Sequence, residues 1–319
     1  MRQSKVLWFT LVLAALAGWN AWAQEKFPSR PIEMIVNFGT GGGADQLGRV
    51  AAQLLEPVLG VAVPVSNVAG ASGNTGLAKV SSAQPDGYTI GTLTGISISA
   101  WASGMGRLTI NDFAYIGVVQ SSPSMLFVVS DSPFKNYQQL LDHAKANPDK
   151  IKVATAGFGT LDDFAVKFLA TKGYVMINAP YAKPGERYTS VLGKHTDVLF
   201  EEPGDVAQFL SAKQIRPIVV FGTQRHREFP DVPASSEFGQ NIDLPNWRAI
   251  VTSAKVPADR LAVLNAGLAR IMATDDWKKF CAETYTCIPP MAPAESKKFV
   301  QKNFDDAVTF LKESGTKIR

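Results

Sequence analysis

Residues that usually perform catalysis or bind metal ions are scarce in this sequence. Its 319 residues include three histidines and two cysteines. The histidines, His143, His195 and His226, lie in separate segments, and no H-E-x-x-H or comparable metal-ligand spacing occurs. No G-x-S-x-G motif, which marks the nucleophile of many hydrolases, is present. The sequence therefore predicts no enzyme activity, no catalytic residue, no metal site and no cofactor. A hydrolase whose triad is assembled from distant residues is the alternative.

Charge of one sign is not concentrated anywhere in the chain. The 32 Lys and Arg residues and the 28 Asp and Glu residues are interspersed, and the formal net charge is +4. No block of Lys or Arg could follow the phosphates of a nucleic acid or an anionic membrane surface. We therefore expect no nucleic-acid partner.

Long apolar runs are missing beyond the N-terminus. Residues 1–23 contain a basic start (Arg2 and Lys5), an apolar segment over 6–17 and the tripeptide A-W-A ending at Ala23. This order is typical of a cleavable signal peptide, and the apolar segment is shorter than the roughly 18 to 20 residues of a membrane span. We predict cleavage after Ala23 and export, which in a bacterium means the periplasm. An uncleaved membrane anchor is the alternative.

The two cysteines lie close together, in the segment FCAETYTC. In an oxidising compartment, Cys281 and Cys287 are expected to form a disulfide that closes a small loop. Two free, buried thiols are the alternative.

Strand-like apolar runs alternate with helical patterns along the rest of the chain. About 296 residues remain after cleavage, more than a single core usually organises, so two lobes are expected. The alternation predicts a parallel, doubly wound sheet. We place strands near 31–38, 62–68, 88–94, 115–120, 125–130, 150–156, 175–181, 196–201 and 215–221, a returning segment over 246–257, and helices near 47–58, 73–83, 137–148, 161–171, 257–273, 275–283 and 293–314.

The first strand ends in a glycine-rich turn that opens a helix. Gly39-x-Gly41-x-x-Ala44 fits the dinucleotide-binding fingerprint. The acid expected about 20 residues further on is missing, because that segment offers only Ser66 and Asn67. An exported protein is also separated from the cytosolic nicotinamide pool. These observations exclude NAD as the ligand of this turn.

A second strand also ends in a glycine turn before a helix. The two segments are NFGTGGGAD at 37–45 and ATAGFGTLDD at 154–163. Glycine lets the backbone approach a ligand closely, and a helix N-terminus carries unsatisfied N–H donors and a partial positive charge. Such turns bind anions, carboxylates as well as phosphates. Two of them in opposite lobes predict a clamp for an anionic solute.

Segments along most of the chain resemble one family. They are FPSRPIEMIVNFGTGGGADQ, NVAGASGNTG, PDGYTIG, NDFAYIG, SPFKNYQQLLDHAKANPDKIKVATAGFGT, RPIVVFGTQRHREFPDVPASSEFG and WRAIVTSAKVPADRLAVLNAGL. In content and order they resemble the periplasmic solute-binding proteins of tripartite tricarboxylate transporters, the Bug family. The resemblance runs from about Phe27 to near the C-terminus.

The resemblance implies an α/β, type II periplasmic-binding-protein fold, in which two doubly wound α/β lobes are joined by a hinge and close over a solute. It assigns 27–124 plus 250–319 to lobe 1 and 125–249 to lobe 2. The ligand-binding residues that it implies come from both lobes: Phe38, Gly39, Thr40, Gly41, Gly42, Asp45, Ser72, Asn74 and Thr94, then Thr155, Gly157, Phe158, Gly159, Thr160 and Asp205. Family members tend to hold ligand carboxylates through backbone N–H groups and ordered water.

Some of these residues also have simpler explanations. Asp45 could cap its helix, and Phe38 could belong to the core. Asn74 and Asp205 could only stabilise turns, since Asp205 follows Pro-Gly. For Thr160 we favour a pocket role, but not for the nearby Asp162.

The chain departs from the family pattern where ligand specificity is expected. The second loop often reads G-x-G-S-x-x-H in the family, whereas this chain has Thr160 and Asp163 there. The segment PYAKPGERY introduces Arg187 and Tyr188, and LFEEPGD places Glu201, Glu202 and Asp205 near the distal end of the ligand. We expect Arg187 to be a solvated loop charge; a clamp on a second ligand carboxylate is the alternative.

The sequence thus predicts a monomeric receptor for a small organic carboxylate, either a di- or tricarboxylate or an aromatic acid. The resemblance implies delivery to the membrane permease subunits of a tripartite transporter. Two alternatives are an exported hydrolase and a ligand-sensing subunit for a two-component kinase.

Overall fold

The computed structural model describes residues 26–313 and Gly315. The predicted signal peptide at 1–23 lies outside the described residues. In the described part of the chain, no helix combines the length and the apolar character that crossing a membrane requires.

In the part of the chain that the structure describes, ten strands form two five-stranded sheets, one in each lobe. The strands are β1 (Glu33–Val36), β2 (Val65–Asn67), β3 (Thr89–Thr94), β4 (Phe113–Ser122), β5 (Met125–Val129), β6 (Lys152–Thr155), β7 (Ile177–Pro180), β8 (Val198–Glu201), β9 (Ile215–Val220) and β10 (Asn246–Ser253). The first sheet has the order β2-β1-β3-β10-β4, and the second has the order β7-β6-β8-β5-β9.

Within the described residues, ten α-helices surround these sheets. They are α1 (Gly43–Leu59), α2 (Asn74–Ser82), α3 (Gly95–Ala102), α4 (Tyr137–Ala146), α5 (Leu161–Thr171), α6 (Pro184–Leu192), α7 (Ala207–Ser211), α8 (Ala258–Met272), α9 (Asp275–Thr284) and α10 (Pro293–Glu313). These bounds agree with the sequence-based expectations for most elements, but α3 and the short α6 and α7 were not predicted.

Each sheet is mixed, whereas we had expected all-parallel sheets. In the first sheet β10 runs antiparallel to both β3 and β4. In the second sheet β5 runs antiparallel to both β8 and β9. The antiparallel strand of each sheet is the one that enters from the other lobe, because the chain crosses between the lobes from β4 to β5 and from β9 to β10. The predicted two-lobed α/β class is confirmed.

The strand β10 begins earlier than the expected lobe boundary at residue 250. Its first residue, Asn246, already pairs with Ser122 at the end of β4. Residues 246–249, which the family resemblance placed in lobe 2, therefore pair within the first sheet, and the second crossing between the lobes lies before them.

The core of the first lobe lies on both faces of its sheet. Neighbouring residues of β1 point to opposite faces: Met34 packs in a cluster with Leu47 of α1, and Ile35 packs in a cluster with Leu77 of α2. A further apolar cluster joins the lobes, since it contains Phe38, Phe164 of α5 and Leu311 of α10. The C-terminal helix thus stabilises the contact between the lobes, and this contact encloses the site described next.

Candidate functional site

A small cavity lies between the two lobes. Its volume is about 20 Å³, enough for about one water molecule. A solute of several atoms therefore requires the lobes, or the side chains between them, to move apart. The lining residues are Phe38, Gly42, Gly43, Ala44, Thr94, Ile96, Asn246 and Arg248 from the first lobe, and Ala156, Tyr181, Ala182, Pro184, Arg187, Glu201 and Asp205 from the second.

The first glycine turn is held in place by Asp45, the third residue of α1. Its carboxylate accepts hydrogen bonds from the Gly41 N–H at 3.0 Å and from Asn67 Nδ2 at 2.9 Å, and it pairs with Arg49 Nε at 2.9 Å. Burial alone would raise the pKa of Asp45, but these hydrogen bonds, Arg49 first, lower it below its ordinary value. The observed contacts of Asp45 are with the glycine turn, with its own helix and with the end of β2, all in the first lobe. Gly41 has a φ of +88°, which favours glycine.

The second glycine turn is held in the same way by Asp163 of α5. Its carboxylate accepts hydrogen bonds from the Gly159 N–H at 2.7 Å and from Asn178 Nδ2 at 2.7 Å, and it pairs with Lys167 Nζ at 2.8 Å. In both lobes a glycine is followed after four residues by an acid and after eight by a base, and an asparagine from the neighbouring strand completes the set. We call each such set a loop brace.

Four of the fifteen predicted ligand-binding residues line the cavity: Phe38, Gly42, Thr94 and Asp205. The others lie outside this lining, and their ligand contacts stay predictions: Gly39, Thr40, Gly41, Asp45, Ser72, Asn74, Thr155, Gly157, Phe158, Gly159 and Thr160.

Several of those outer residues have structural contacts of their own. Asn74 accepts a hydrogen bond from Trp101 Nε1 at 2.6 Å. Thr160 donates to the Gly157 carbonyl at 2.7 Å, and Thr155 donates to Asn178 Oδ1. These contacts shape the turns next to the cavity.

Arg187 is not the solvated loop charge that we expected. It lies on α6, is 4% exposed and forms an ion pair with Glu201. A weaker contact of 3.8 Å joins its Nη1 to Asp162 Oδ2. Asp162 in turn accepts a hydrogen bond from the Ala156 N–H at 2.6 Å. The expectation was wrong because the residue sits in a helix facing the second sheet and not in a loop.

Arg248 is a site residue that the sequence analysis missed. Its Nη2 lies 2.6 Å from Asp205 Oδ2 and 3.2 Å from Glu202 Oε2, across the boundary between the lobes. Asp205 Oδ2 also accepts a hydrogen bond from the Gly43 N–H of α1 at 2.9 Å. The sequence did contain a signal that could have identified Arg248, because it is the one charged residue in the apolar segment of β10. All eight residues of this strand are buried.

Gly43 has to be glycine because the lobes approach each other here. A Cβ at this position would lie 2.1 Å from Asp205 Oδ1 and 2.4 Å from Arg248 Cζ. The absence of a side chain at Gly43 therefore lets Asp205 of the opposite lobe approach the turn closely. It leaves room for a ligand to do the same.

The buried acids beside the cavity have shifted pKa values. Burial raises the pKa of Asp205 to about 7, although Arg248 opposes the shift. Burial also raises the pKa of Glu202 well above its ordinary value, and the neighbouring Glu201 and Asp205 add to the effect. Burial is the largest single effect on Glu201 and would raise its pKa too, but the charge of Arg187 and the hydrogen bonds to the carboxylate together outweigh it, and the net shift is downward.

Oxygen atoms of Glu201, Glu202 and Asp205 lie within 4.8 Å of one another. Carboxylates suit hard cations such as Ca²⁺ or Mg²⁺. Here Arg248 already pairs with two of the three acids, and a cation would be placed next to its guanidinium. These residues fit an organic ligand better than a metal ion.

The sequence model of the tripartite tricarboxylate transporter family receptor, TctC, matches residues 47–315. The chain belongs to this family. The predicted family is therefore confirmed. Its members are solute-binding receptors, not enzymes, that act in the periplasm and serve transporters.

Relatives and solved structures agree with this membership. A UPF0065 protein from the TAR-I ttuE-ttuC' intergenic region of Agrobacterium vitis is 29% identical over 253 residues, which is 78% of this chain and 73% of the relative. The periplasmic binding protein BugD superposes with a TM-score of 0.84 and 25% identity, covering 91% of this chain and 99% of its own.

Two structures of lower identity show the same fold with a ligand bound. MatC from Rhodopseudomonas palustris, with bound malate, has a TM-score of 0.83 and 21% identity over 89% of this chain and 100% of its own. R. palustris Rpa4515, with adipate, has a TM-score of 0.83 and 21% identity over 91% of this chain and 98% of its own.

Proposed function

We propose that this TctC-family chain is a periplasmic receptor that captures a small organic carboxylate between its lobes. In this proposal it then presents the solute to the permease subunits of a tripartite transporter and acts as a monomer. Malate and adipate, bound by the two R. palustris proteins, are both dicarboxylates, which supports a carboxylate as the ligand class.

The observation that carries the proposal is a cavity lined from both lobes at the start of α1. Gly42, Gly43 and Ala44 line it, and the N-terminus of this 17-residue helix carries the N–H donors and partial positive charge that attract carboxylates. The Gly43 N–H already donates to the carboxylate of Asp205. Because the Gly43 N–H can donate to this carboxylate, we propose that it also donates to the carboxylate of a solute.

In this proposal, closure has a physical basis in the contacts between the lobes. The Arg248–Asp205 pair and the cluster around Phe38 and Phe164 stabilise the closed arrangement. A solute in contact with both walls adds differential affinity for this arrangement and shifts the population toward it. The permease would then recognise the closed, loaded receptor.

A thermal-shift screen of mono-, di- and tricarboxylates tests the proposal. A ligand present at 100 times its Kd stabilises the folded state by about 2.7 kcal/mol, so we expect at least one acid to raise the Tm by roughly 5 °C. Uncharged amides of the same acids are the control. If no carboxylate raises the Tm, the proposed ligand class is wrong. Turnover of a carboxyl ester would instead support the hydrolase alternative.

A further inference from the structure

The chain passes from one lobe to the other directly before β5 and again directly before β10. Each crossing contains a proline, Pro123 in the first and Pro245 in the second, and a proline ring fixes φ at about −65°. Ser122 and Asn246, the strand residues next to the two crossings, pair with each other, so the crossings lie side by side. Because hinge motion is absorbed by a few residues of this kind, a contact between the crossings can restrict the orientation of the lobes.

The carboxylate of Glu202 makes such a contact. Glu202 directly follows β8 in the second lobe and is 2% exposed. Its Oε1 accepts a hydrogen bond from Ser124 Oγ at 2.7 Å, at the first crossing. Its Oε2 accepts from Asn246 Nδ2 at 2.7 Å, at the second crossing, and from Arg248 Nη2 at 3.2 Å. One side chain of the second lobe thus ties the two crossings to each other.

The turn that begins at Glu202 touches the first lobe at two further points. A Cβ at Gly204 would overlap the backbone carbonyl oxygen of Thr284, the last residue of α9. The next residue, Asp205, accepts a hydrogen bond from the Gly43 N–H of α1 at 2.9 Å. We call residues 202–205 the pivot turn, because they contact β10, α9 and α1 of the first lobe where the two crossings meet.

Glu202 is separate from the residues that face a solute. It is not among the residues that line the cavity, and both of its carboxylate oxygens are engaged at the crossings. A rotation that moves Asn246 away from Ser124 would break at least one of these hydrogen bonds. A buried carboxylate oxygen would then lose its partner, which is costly.

We infer that Glu202 is a positioning residue of the hinge, which fixes the angle between the lobes by hydrogen bonding to both crossings. Through the pivot turn it holds the second lobe in the orientation in which Asp205 meets the start of α1. The fraction of receptor in a binding-competent orientation sets the apparent affinity for a solute. The inference rests on the closure described in the proposed function, but its test requires no solute.

Double electron–electron resonance on the solute-free protein measures the orientation of the lobes. Spin labels are attached to cysteines introduced as Ala78→Cys on α2 of the first lobe and Lys145→Cys on α4 of the second, both at exposed positions. The natural cysteines, Cys281 and Cys287, are joined in their disulfide and do not take a label. The distribution of label-to-label distances then reports the angles that the lobes adopt.

Two substitutions of Glu202 separate its hydrogen bonds from its charge. Glu202→Ala removes all three hydrogen bonds, and we expect it to broaden the distribution to distances that the natural protein does not populate. Glu202→Gln should keep the natural distribution, since a glutamine amide can accept from Asn246 and Arg248 and donate to Ser124. If Glu202→Gln broadens the distribution as much as Glu202→Ala does, the hydrogen bonds are not what fixes the angle.

Asp162→Ala is the matched control. Asp162 is a carboxyl group of the second lobe, 3% exposed, and its contacts with the Ala156 N–H at 2.6 Å and with Arg187 lie within that lobe. Its loss should lower the Tm but leave the distances between the labels unchanged. The same broadening in Asp162→Ala as in Glu202→Ala would show a general effect of losing a buried acid, and would overturn the inference.

Ser124→Ala provides a milder test if Glu202→Ala does not fold, because it removes only the hydrogen bond at the first crossing. We expect a smaller broadening in the same direction. Natural distances in every variant at Glu202 and Ser124 that folds would overturn the inference, while the proposed function stands. A thermal-shift screen in which no carboxylate binds would instead count against the proposed function, and the resonance result would be unaffected.

Discussion

At the scale of single residues, the loop braces explain how two glycine-rich turns keep one conformation. Glycine costs more conformational entropy on folding than any other residue. Asp45 and Asp163 offset this cost by accepting the N–H of the glycine four residues earlier. The braces thus position the two turns before any solute enters.

Removing one brace should destabilise the protein measurably. Asp163→Ala removes the acceptor of Gly159 and Asn178 and the partner of Lys167. Hydrogen bonds to charged groups contribute about 1.5–3 kcal/mol each, so we expect the free energy of unfolding to fall by about 2–3 kcal/mol in urea denaturation. Asp276→Ala, at an exposed acid in the first turn of α9, is the control and should change it by less than about 0.5 kcal/mol. If the two substitutions lower the free energy of unfolding by the same amount, the contacts of Asp163 do not stabilise the second glycine turn.

The titration of Asp205 should be visible in the stability of the protein. Its pKa is about 7 in the folded state, against an ordinary value of 3.8. Between these two values the native state binds more protons than the unfolded state, so this group's contribution to stability decreases as the pH rises from about 4 to 7.

Asp205→Asn tests that pH dependence. We expect the free energy of unfolding of the natural protein to decrease more between pH 4 and pH 7 than that of the variant, as measured by urea denaturation at several pH values. Parallel profiles for the two proteins would show that Asp205 does not titrate in this window.

Residue-scale prediction from the sequence succeeded where the signal was local. The glycine turns and their acids lie within a few positions of each other, so the pattern alone placed them at the starts of α1 and α5. The pairs Arg187–Glu201 and Arg248–Asp205 join residues 14 and 43 positions apart. The first pair depends on how α6 packs against β8 within the second lobe, and the second pair depends on how the lobes meet. No local pattern records either arrangement.

At the scale of elements, the end of α9 is fixed by the predicted disulfide, which the structure contains between Cys281 and Cys287. The two residues are six positions apart, so the closed loop is short. A loop of this length restricts the unfolded chain by roughly 2 kcal/mol in the chain-entropy account. We expect the double substitution Cys281→Ala and Cys287→Ala to lower the free energy of unfolding by about that amount. An unchanged urea midpoint would argue against a stabilising role.

The strand β10 carries the ion pairs that join the lobes. Arg248→Met leaves Glu202 and Asp205 buried without their guanidinium, and breaking a buried pair in this way costs about 3–5 kcal/mol. We expect a loss of stability of this size in urea denaturation, and a larger radius of gyration in small-angle X-ray scattering because the lobes separate.

A surface arginine provides the comparison for that substitution. Arg227 is 91% exposed at its side chain and pairs only with its neighbour Glu228 among the described ion pairs. Arg227→Met should change the free energy of unfolding by less than about 0.5 kcal/mol. If Arg248→Met is equally mild, the interlobe pairs do not hold the lobes together.

Element-scale prediction was limited mainly at the crossings between the lobes. Periodicity placed most strands and helices within a few residues, because amphipathic spacing is a local property. It could not show that β5 and β10 run antiparallel to their neighbours, or that β10 starts at Asn246. Those features depend on pairing with strands distant in sequence.

At the scale of the whole molecule, the lobes are close enough that the cavity between them has a volume of only about 20 Å³. The contact between the lobes combines an apolar cluster with a buried network of charges. Entry of a solute therefore requires opening, and its capture requires closure around it. The chain belongs to the TctC family and has the two-lobed fold of periplasmic binding proteins. From these two findings we propose that it captures a carboxylate.

A crystal structure of the protein with the tightest-binding acid from the screen tests the central claim most directly. The account predicts that the solute lies between the lobes, in contact with the start of α1 on one side and with the second lobe near Ala156 and Tyr181 on the other. A solute bound to the outer surface of one lobe, with the space between the lobes unchanged, would contradict it.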